Sequence, residues 1–284
     1  MLTRFEYFVT GWLALYHLSR FFDGKVGKEY GISFWEKLRL WRGFMRATKH
    51  IPTATSWLYH VILATEIMSI PKSVKGDVIE CGCWKGGSTA SLSLVCARVG
   101  RRLIVADSFE GVPADSEAKH DYPHLKMWSE TYRTGMYKAG LEEWKANVIR
   151  YGSKHARQWE VEVMPGYFSD TLRKLARPIA FAFLDVDIVS SLRDCLRYIW
   201  PLLVDGGTIY TDDSCDTAMV KVWYDRDFWQ GILRQEPPGY VGGGCGLPVY
   251  ARYSSLGYCR KVASPELVYQ KQSWEPQRAR KKWS

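Results

Sequence analysis

The sequence predicts an α/β fold: a doubly wound, mostly parallel sheet with a C-terminal antiparallel hairpin and a helical N-terminal extension. Three observations carry this. Short strand-like runs alternate with helix-length segments from Gly76 to Asp213, the βα rhythm that builds a parallel sheet. The runs Leu103–Ala106 and Ile179–Leu184 are apolar without alternation, as expected of strands covered on both faces. The strand ends carry acids (Glu80, Asp107, Asp185, Asp212), and open α/β sheets bind ligands beyond those ends.

Taken in order, Phe5, Phe8, Val9, Trp12, Leu15, Tyr16 and Phe22 fall largely on one side of an N-terminal helix,. Its apolar stretch is shorter than the roughly 20 residues that cross a bilayer, and Glu6 is wrong for a signal peptide,. The helix is expected to pack on the body or form a homodimer contact, in preference to lying on a membrane surface. Residues 34–70 read as helical with a break near Pro52, the second part covering the sheet edge or a site mouth. Val78 and Ile79 begin the first strand, and Glu80 to Gly87 form a glycine-rich turn. Ser88 and Thr89 are the expected caps of a helix over Ala90–Val99,.

After Asp107, the connection Ser108–Ser129 is long enough to serve as a lid,. An amphipathic helix is expected over Glu130–Tyr151, and a third strand over Trp159–Val163 that turns at Pro165-Gly166. Tyr167, Phe168 and a short helix Ser169–Leu175 come next, then the strand Ile179–Leu184 and a helix from Ser190 or Ser191 to Trp200. Thr208–Tyr210 is a fifth strand ending in Asp212-Asp213, Ala218–Leu233 a helix, and Leu247–Tyr253 with Gly257–Val262 the closing hairpin. The chain thus divides into a helical extension (1–72), a ligand-binding domain (73–263) and a basic tail (264–284).

With 284 residues and 46% apolar content the chain can bury one sizeable core,. Its seven scattered cysteines read as reduced thiols, the pattern of a cytoplasmic protein,. The net charge of +9, concentrated near both ends, suits anionic partners or simply solvated faces,.

The glycine spacing selects the ligand. Dinucleotide folds use G-x-G-x-x-G to hold a pyrophosphate, whereas here the run is Glu80-x-Gly82-x-x-x-Gly86-Gly87. An acid before the first glycine repels a pyrophosphate and tolerates a cation, and S-adenosylmethionine carries a sulfonium and an ammonium. Glycines 82, 86 and 87 leave backbone bare for it, and Asp107 is placed to bind ribose hydroxyls. Phe168 reads equally as an adenine cover or a core residue. Asp185, Asp187, Asp212 and Asp213 fall at two strand ends; neighbouring strands lie about 5 Å apart, so these carboxylates would repel unless a cation joined them. All-oxygen ligation points to Mg²⁺, Mn²⁺ or Ca²⁺.

The run from Gly76 to Gly87, Ala106-Asp107-Ser108-Phe109-Glu110-Gly111-Val112-Pro113, Pro165-Gly166-Tyr167-Phe168-Ser169-Asp170-Thr171-Leu172, Asp185-x-Asp187 and Gly206-Gly207-x-Ile209-x-x-Asp212-Asp213 together resemble the macrocin/mycinamicin/novobiocin sugar O-methyltransferase family. The resemblance implies a Rossmann-like methyltransferase sheet, S-adenosylmethionine and Mg²⁺ as cofactors, and a hydroxyl of a sugar or glycosylated secondary metabolite as acceptor. It implies Asp185, Asp212 and Asp213 as metal ligands and Asp187 as general base. Glu80, Gly82, Ser88, Asp107 and Ser108 would hold the cofactor, with Phe168 and Asp170 near its adenine. The chain departs from the family pattern after Asp213, where Ser214-Cys215 replaces a tyrosine and a long segment follows that includes a glycine-rich loop at residues 242–246. An acceptor of the phenol or catechol type, and a non-catalytic nucleic-acid- or membrane-surface-binding protein on the same fold, are the rival readings; no nucleic-acid partner is expected.

Overall fold

A computed structural model of the chain describes residues 14–114, 133–153, 161–214, 216–241 and 256–262. Helix α1 spans residues 14–22, followed by α2 (Phe34–His50) and α3 (Trp57–Ser69). Ser33 closes a capping box with Glu36 at the start of α2, and Ser56 caps α3,. Then come β1 (Asp77–Cys81), α4 (Gly87–Val99), β2 (Leu103–Asp107), α5 (Leu141–Tyr151), β3 (Val161–Pro165), α6 (Phe168–Thr171) and β4 (Ile179–Leu184). The described chain closes with α7 (Val189–Ile199), β5 (Leu203–Thr211), α8 (Thr217–Val222), α9 (Arg226–Ile232) and β6 (Gly257–Arg260).

The strands form one sheet in the order β3-β2-β1-β4-β5-β6. All neighbours pair in parallel except β5 and β6, which are antiparallel. The doubly wound α/β class expected from the sequence is the one adopted. The winding reverses between β1 and β4, where such sheets open a crevice. Alternation along each strand divides the core. Val78, Leu103, Val105, Phe181 and Phe183 pack with α2, α3, α4 and α5, while Ile79, Cys81, Ile104, Ala106, Ala182 and Leu184 pack with α7, α8 and α9.

Several boundaries differ from the sequence reading, each for a local reason. Helix α4 begins at Gly87 behind a left-handed Gly86 with no side-chain cap; Ser88 and Thr89 lie inside its first turn. Helix α5 begins at Leu141 instead of Glu130, behind an extended Gly140. The helix expected over Ala218–Leu233 is two, because the Asp225 carboxylate accepts the Phe228 N–H and starts a new one. Residues 169–175 contain the end of α6 and a 3-10 turn over Leu172–Lys174. Strand β6 pairs with β5; its expected hairpin partner Leu247–Tyr253 lies outside the described residues, as do residues 1–13, most of the expected lid and the basic tail. The described cysteines are buried thiols. No described helix is long and apolar enough to cross a membrane.

Candidate active site

Backbone hydrogen bonds extend the ladder past the strand ends and bring the tips into line. The Gly82 N–H donates to Ala106 C=O (3.0 Å), Asp185 N–H to Cys81 C=O (2.9 Å) and Asp212 N–H to Leu184 C=O (3.1 Å). Above these tips lies a cavity of about 430 Å³, within the size range of small-molecule sites. Of the residues singled out in the sequence, Gly82, Ser88, Asp107, Ser108, Phe168, Asp185, Asp187, Asp212 and Asp213 line it. Glu80, Gly86 and Asp170 do not.

The glycine turn is shaped by close approach. Gly82 has φ +79°, and a Cβ there would stand 1.7 Å from the Asp185 carbonyl oxygen, so β1 and β4 meet through bare backbone. Gly86 takes φ +86° against Trp144 and Val148. Asp107 anchors the turn from the next strand: its Oδ2 accepts the N–H groups of Cys83 (2.7 Å) and Trp84 (3.2 Å), and its Oδ1 that of Phe109 (2.7 Å). Non-glycine residues with positive φ gather here, with Trp84 (42°), Tyr137 (57°) and Asp187 (62°) all on the cavity wall. Such backbone costs free energy and is found where a site's geometry demands it.

Among the described residues, Asp185, Asp187 and Asp213 each bring one carboxylate oxygen to a common point, all within 4.8 Å of one another. The Asp187 N–H donates to Asp213 Oδ2 (3.2 Å), tying the loop after β4 to the tip of β5. Asp212, just past the end of β5, is buried and lines the same cavity but is not in that trio. Burial, and then the neighbouring Asp212 and Asp187 carboxylates, push the Asp185 carboxyl well above the usual range. Burial and then Asp187 do the same to Asp213. An oxygen-only trio under this like-charge strain suits a hard divalent cation.

Glu80 stands below the cavity on the α4 side of β1, fully buried, with Oε2 accepting the Thr89 hydroxyl at 2.5 Å. Burial pushes its carboxyl from 4.5 up to about 7. Between those two values the folded chain holds a proton that the unfolded chain has released, so stability falls as pH rises through the window. Glu80→Gln removes that slope. Its stability relative to the wild type is expected to grow by up to about 3 kcal/mol from pH 4 to pH 8 in urea melts of the metal-free chain. Parallel pH profiles of the two would contradict this.

The cavity also contains residues that the sequence reading did not select: Thr53 and Ala54 after α2, Trp84, Tyr137, and Asp194 on α7. Only Asp194 carries a readable signal, a polar position on a helix that starts beside the strand tips. The Trp84 and Tyr137 rings meet edge to face with centroids 5.5 Å apart, a contact between segments far apart in sequence.

The family model for macrocin-O-methyltransferase (TylF) matches residues 60–229, more than half of the chain and all of the strands named above except β6. The chain belongs to the macrocin-O-methyltransferase family. Among relatives, it is 35% identical over 163 residues to the Streptomyces olivaceus 8-demethyl-8-(2,3-dimethoxy-alpha-L-rhamnosyl)-tetracenomycin-C 4'-O-methyltransferase, covering 56% of this chain and 60% of that protein. It is 31% identical over 166 residues to the Micromonospora griseorubida mycinamicin III 3''-O-methyltransferase, covering 56% and 63%. The chain therefore spans less than two thirds of the length of either relative. Among solved structures, the O-methyltransferase NovP superposes with a TM-score of 0.57 at 21% identity, over 74% of this chain and 83% of that one, which supports the shared fold.

Proposed function

We propose that this macrocin-O-methyltransferase family chain is an S-adenosylmethionine- and Mg²⁺-dependent O-methyltransferase acting on a hydroxyl of a sugar or glycosylated small molecule. The observation that carries the reading is the convergence of Asp185, Asp187 and Asp213 beside a glycine turn in one cavity. The relatives' names, which specify a rhamnosyl-tetracenomycin and mycinamicin III, support the acceptor class.

The Asp107 carboxylate, which accepts three backbone N–H groups, would offer its remaining lone pair to a ribose hydroxyl. The bare backbone at Gly82 and the Ser88 and Ser108 side chains border the same space, and Phe168 closes it from the β3 side. S-adenosylmethionine supplies the sulfonium methyl. Asp185 and Asp213, with Asp212 completing the oxygen set and Asp187 beside them, would hold the metal. A divalent cation there supplies Lewis-acid stabilisation of charge developing on the acceptor oxygen. Asp187 would accept the proton that the acceptor hydroxyl gives up, and the bond from its backbone N–H to Asp213 fixes the main chain that carries it,. Asp187→Asn is expected to lower kcat about a hundredfold with little change in KM; a normal kcat would exclude it as the base.

The assignment is tested by methyl transfer from labelled S-adenosylmethionine to a panel of glycosides and simple catechols, with Mg²⁺ or with EDTA. Turnover of a glycoside that EDTA abolishes is the expected result. Turnover confined to catechols would move the acceptor class, and turnover unaffected by EDTA would remove the metal.

A further inference from the structure

One wall of the cavity comes from the loop between α2 and α3, where Pro52, Thr53 and Ala54 face it. This loop stands against the first turn of α4: a Cβ on Gly87 would be 2.7 Å from the Thr53 Cβ. Behind that contact runs a chain of hydrogen bonds through a buried histidine. Thr53 Oγ1 accepts the Thr55 N–H (3.2 Å) and lies 2.9 Å from Thr55 Oγ1. Thr55 Oγ1 is 2.9 Å from His60 Nε2, and His60 Nδ1 is 2.8 Å from Ser91 Oγ. The Ser91 hydroxyl then donates to the Gly87 carbonyl at 3.4 Å. The chain begins and ends on two residues that touch each other, Thr53 and Gly87, and both line the cavity.

His60 is only 1% exposed, and burial drives its imidazolium down to about 3, so the ring is neutral under any working condition. A neutral imidazole has one donor and one acceptor nitrogen, and the ring of contacts uses both. With Nδ1–H donating to Ser91, the Thr55 hydroxyl donates to Nε2 and the Thr53 hydroxyl to Thr55, so each proton has an acceptor. A histidine serving only to fill the core would need no partners that lead to the cavity wall on both sides.

We infer that His60 is a positioning residue that clamps the Thr53 wall onto the first turn of α4 and thereby closes the cavity around the methyl donor. The inference rests on the methyl-donor reading above. Removing a buried partner leaves the opposite group unsatisfied, and here the unsatisfied groups belong to the two halves of the wall.

The test is calorimetric titration of the full chain with S-adenosylhomocysteine, alongside thermal melts. His60→Leu is expected to weaken binding about tenfold, and Thr55→Val, which does not itself line the cavity, by a similar factor. The double variant should bind no more weakly than His60→Leu, because both cut one chain. His60→Gln, which returns a polar group towards Thr55, should recover part of the loss. Should His60→Leu fail to fold, Thr55→Val and Ser91→Ala carry the comparison. Binding within twofold of the wild type in the variants, with melting temperature alone lowered, would overturn the inference. No binding by the wild type would instead remove the methyl-donor reading, and this inference with it.

Discussion

Asp213→Asn is expected to lower Mg²⁺-dependent methyl transfer by about a thousandfold, some 4 kcal/mol of transition-state stabilisation, while leaving S-adenosylhomocysteine affinity within about threefold of the wild type. The two readouts separate because Asp213 belongs to the carboxylate trio, whereas the glycine turn is held by Asp107 from the far side of β1. The variant is isosteric, and its amide can still accept the Asp187 N–H. What changes is charge. Loss of one of three converging carboxylates weakens cation binding, and it also removes a lesser part of what raises the Asp185 carboxyl, which is set first by burial and then by Asp212 and Asp187,. Excess Mg²⁺ should therefore restore part of the activity. Full activity in EDTA-treated Asp213→Asn would show that the trio has no part in the chemistry, and joint loss of activity and S-adenosylhomocysteine binding would show that the cavity had collapsed.

Gly82→Ala is expected to be the most damaging single methyl group that can be added to the site. The new Cβ would stand 1.7 Å from the Asp185 carbonyl oxygen, on a backbone with φ +79°. No rotamer relieves a clash with main chain, so the tips of β1 and β4 must separate. A cost of about 3 kcal/mol or more is expected, with a melting temperature lower by roughly 6–12 °C and no measurable S-adenosylhomocysteine binding. Gly31→Ala is the control. It has nearly the same φ, +72°, but nothing lies within 4 Å of its added Cβ, so only the left-handed strain of about 1 kcal/mol remains and ligand affinity is unchanged. Equal behaviour of the two variants would mean that backbone conformation, and not close approach of β4, sets the requirement at Gly82.

Much of this architecture is readable from local sequence because it is locally determined. Ile179–Leu184 is apolar throughout since both faces of β4 are covered, and β4 has those same bounds. The strand-tip acids were visible as punctuation at the ends of apolar runs. Which of them converge was not visible, because that depends on register between β4 and β5 and on a left-handed Asp187. A helix start is not legible where a side chain has other work: Thr89 looks like a cap but donates to Glu80, and Asp225 sits inside an apparently continuous helix but begins a new one. The Thr53 wall and its link through His60 to Ser91 were out of reach for a different reason. They join segments 31 residues apart in sequence through contacts that no periodicity encodes.

On the proposed function, one cavity at the strand tips would hold a methyl donor beside a divalent cation. Calorimetry with S-adenosylhomocysteine and then Mg²⁺, set against the same titrations of Asp213→Asn and against NAD, decides whether it does. The wild type is expected to bind S-adenosylhomocysteine and one Mg²⁺ but not NAD, and Asp213→Asn to keep the first and lose most of the second. Binding of NAD without S-adenosylhomocysteine, or Mg²⁺ binding unchanged by the substitution, would contradict it.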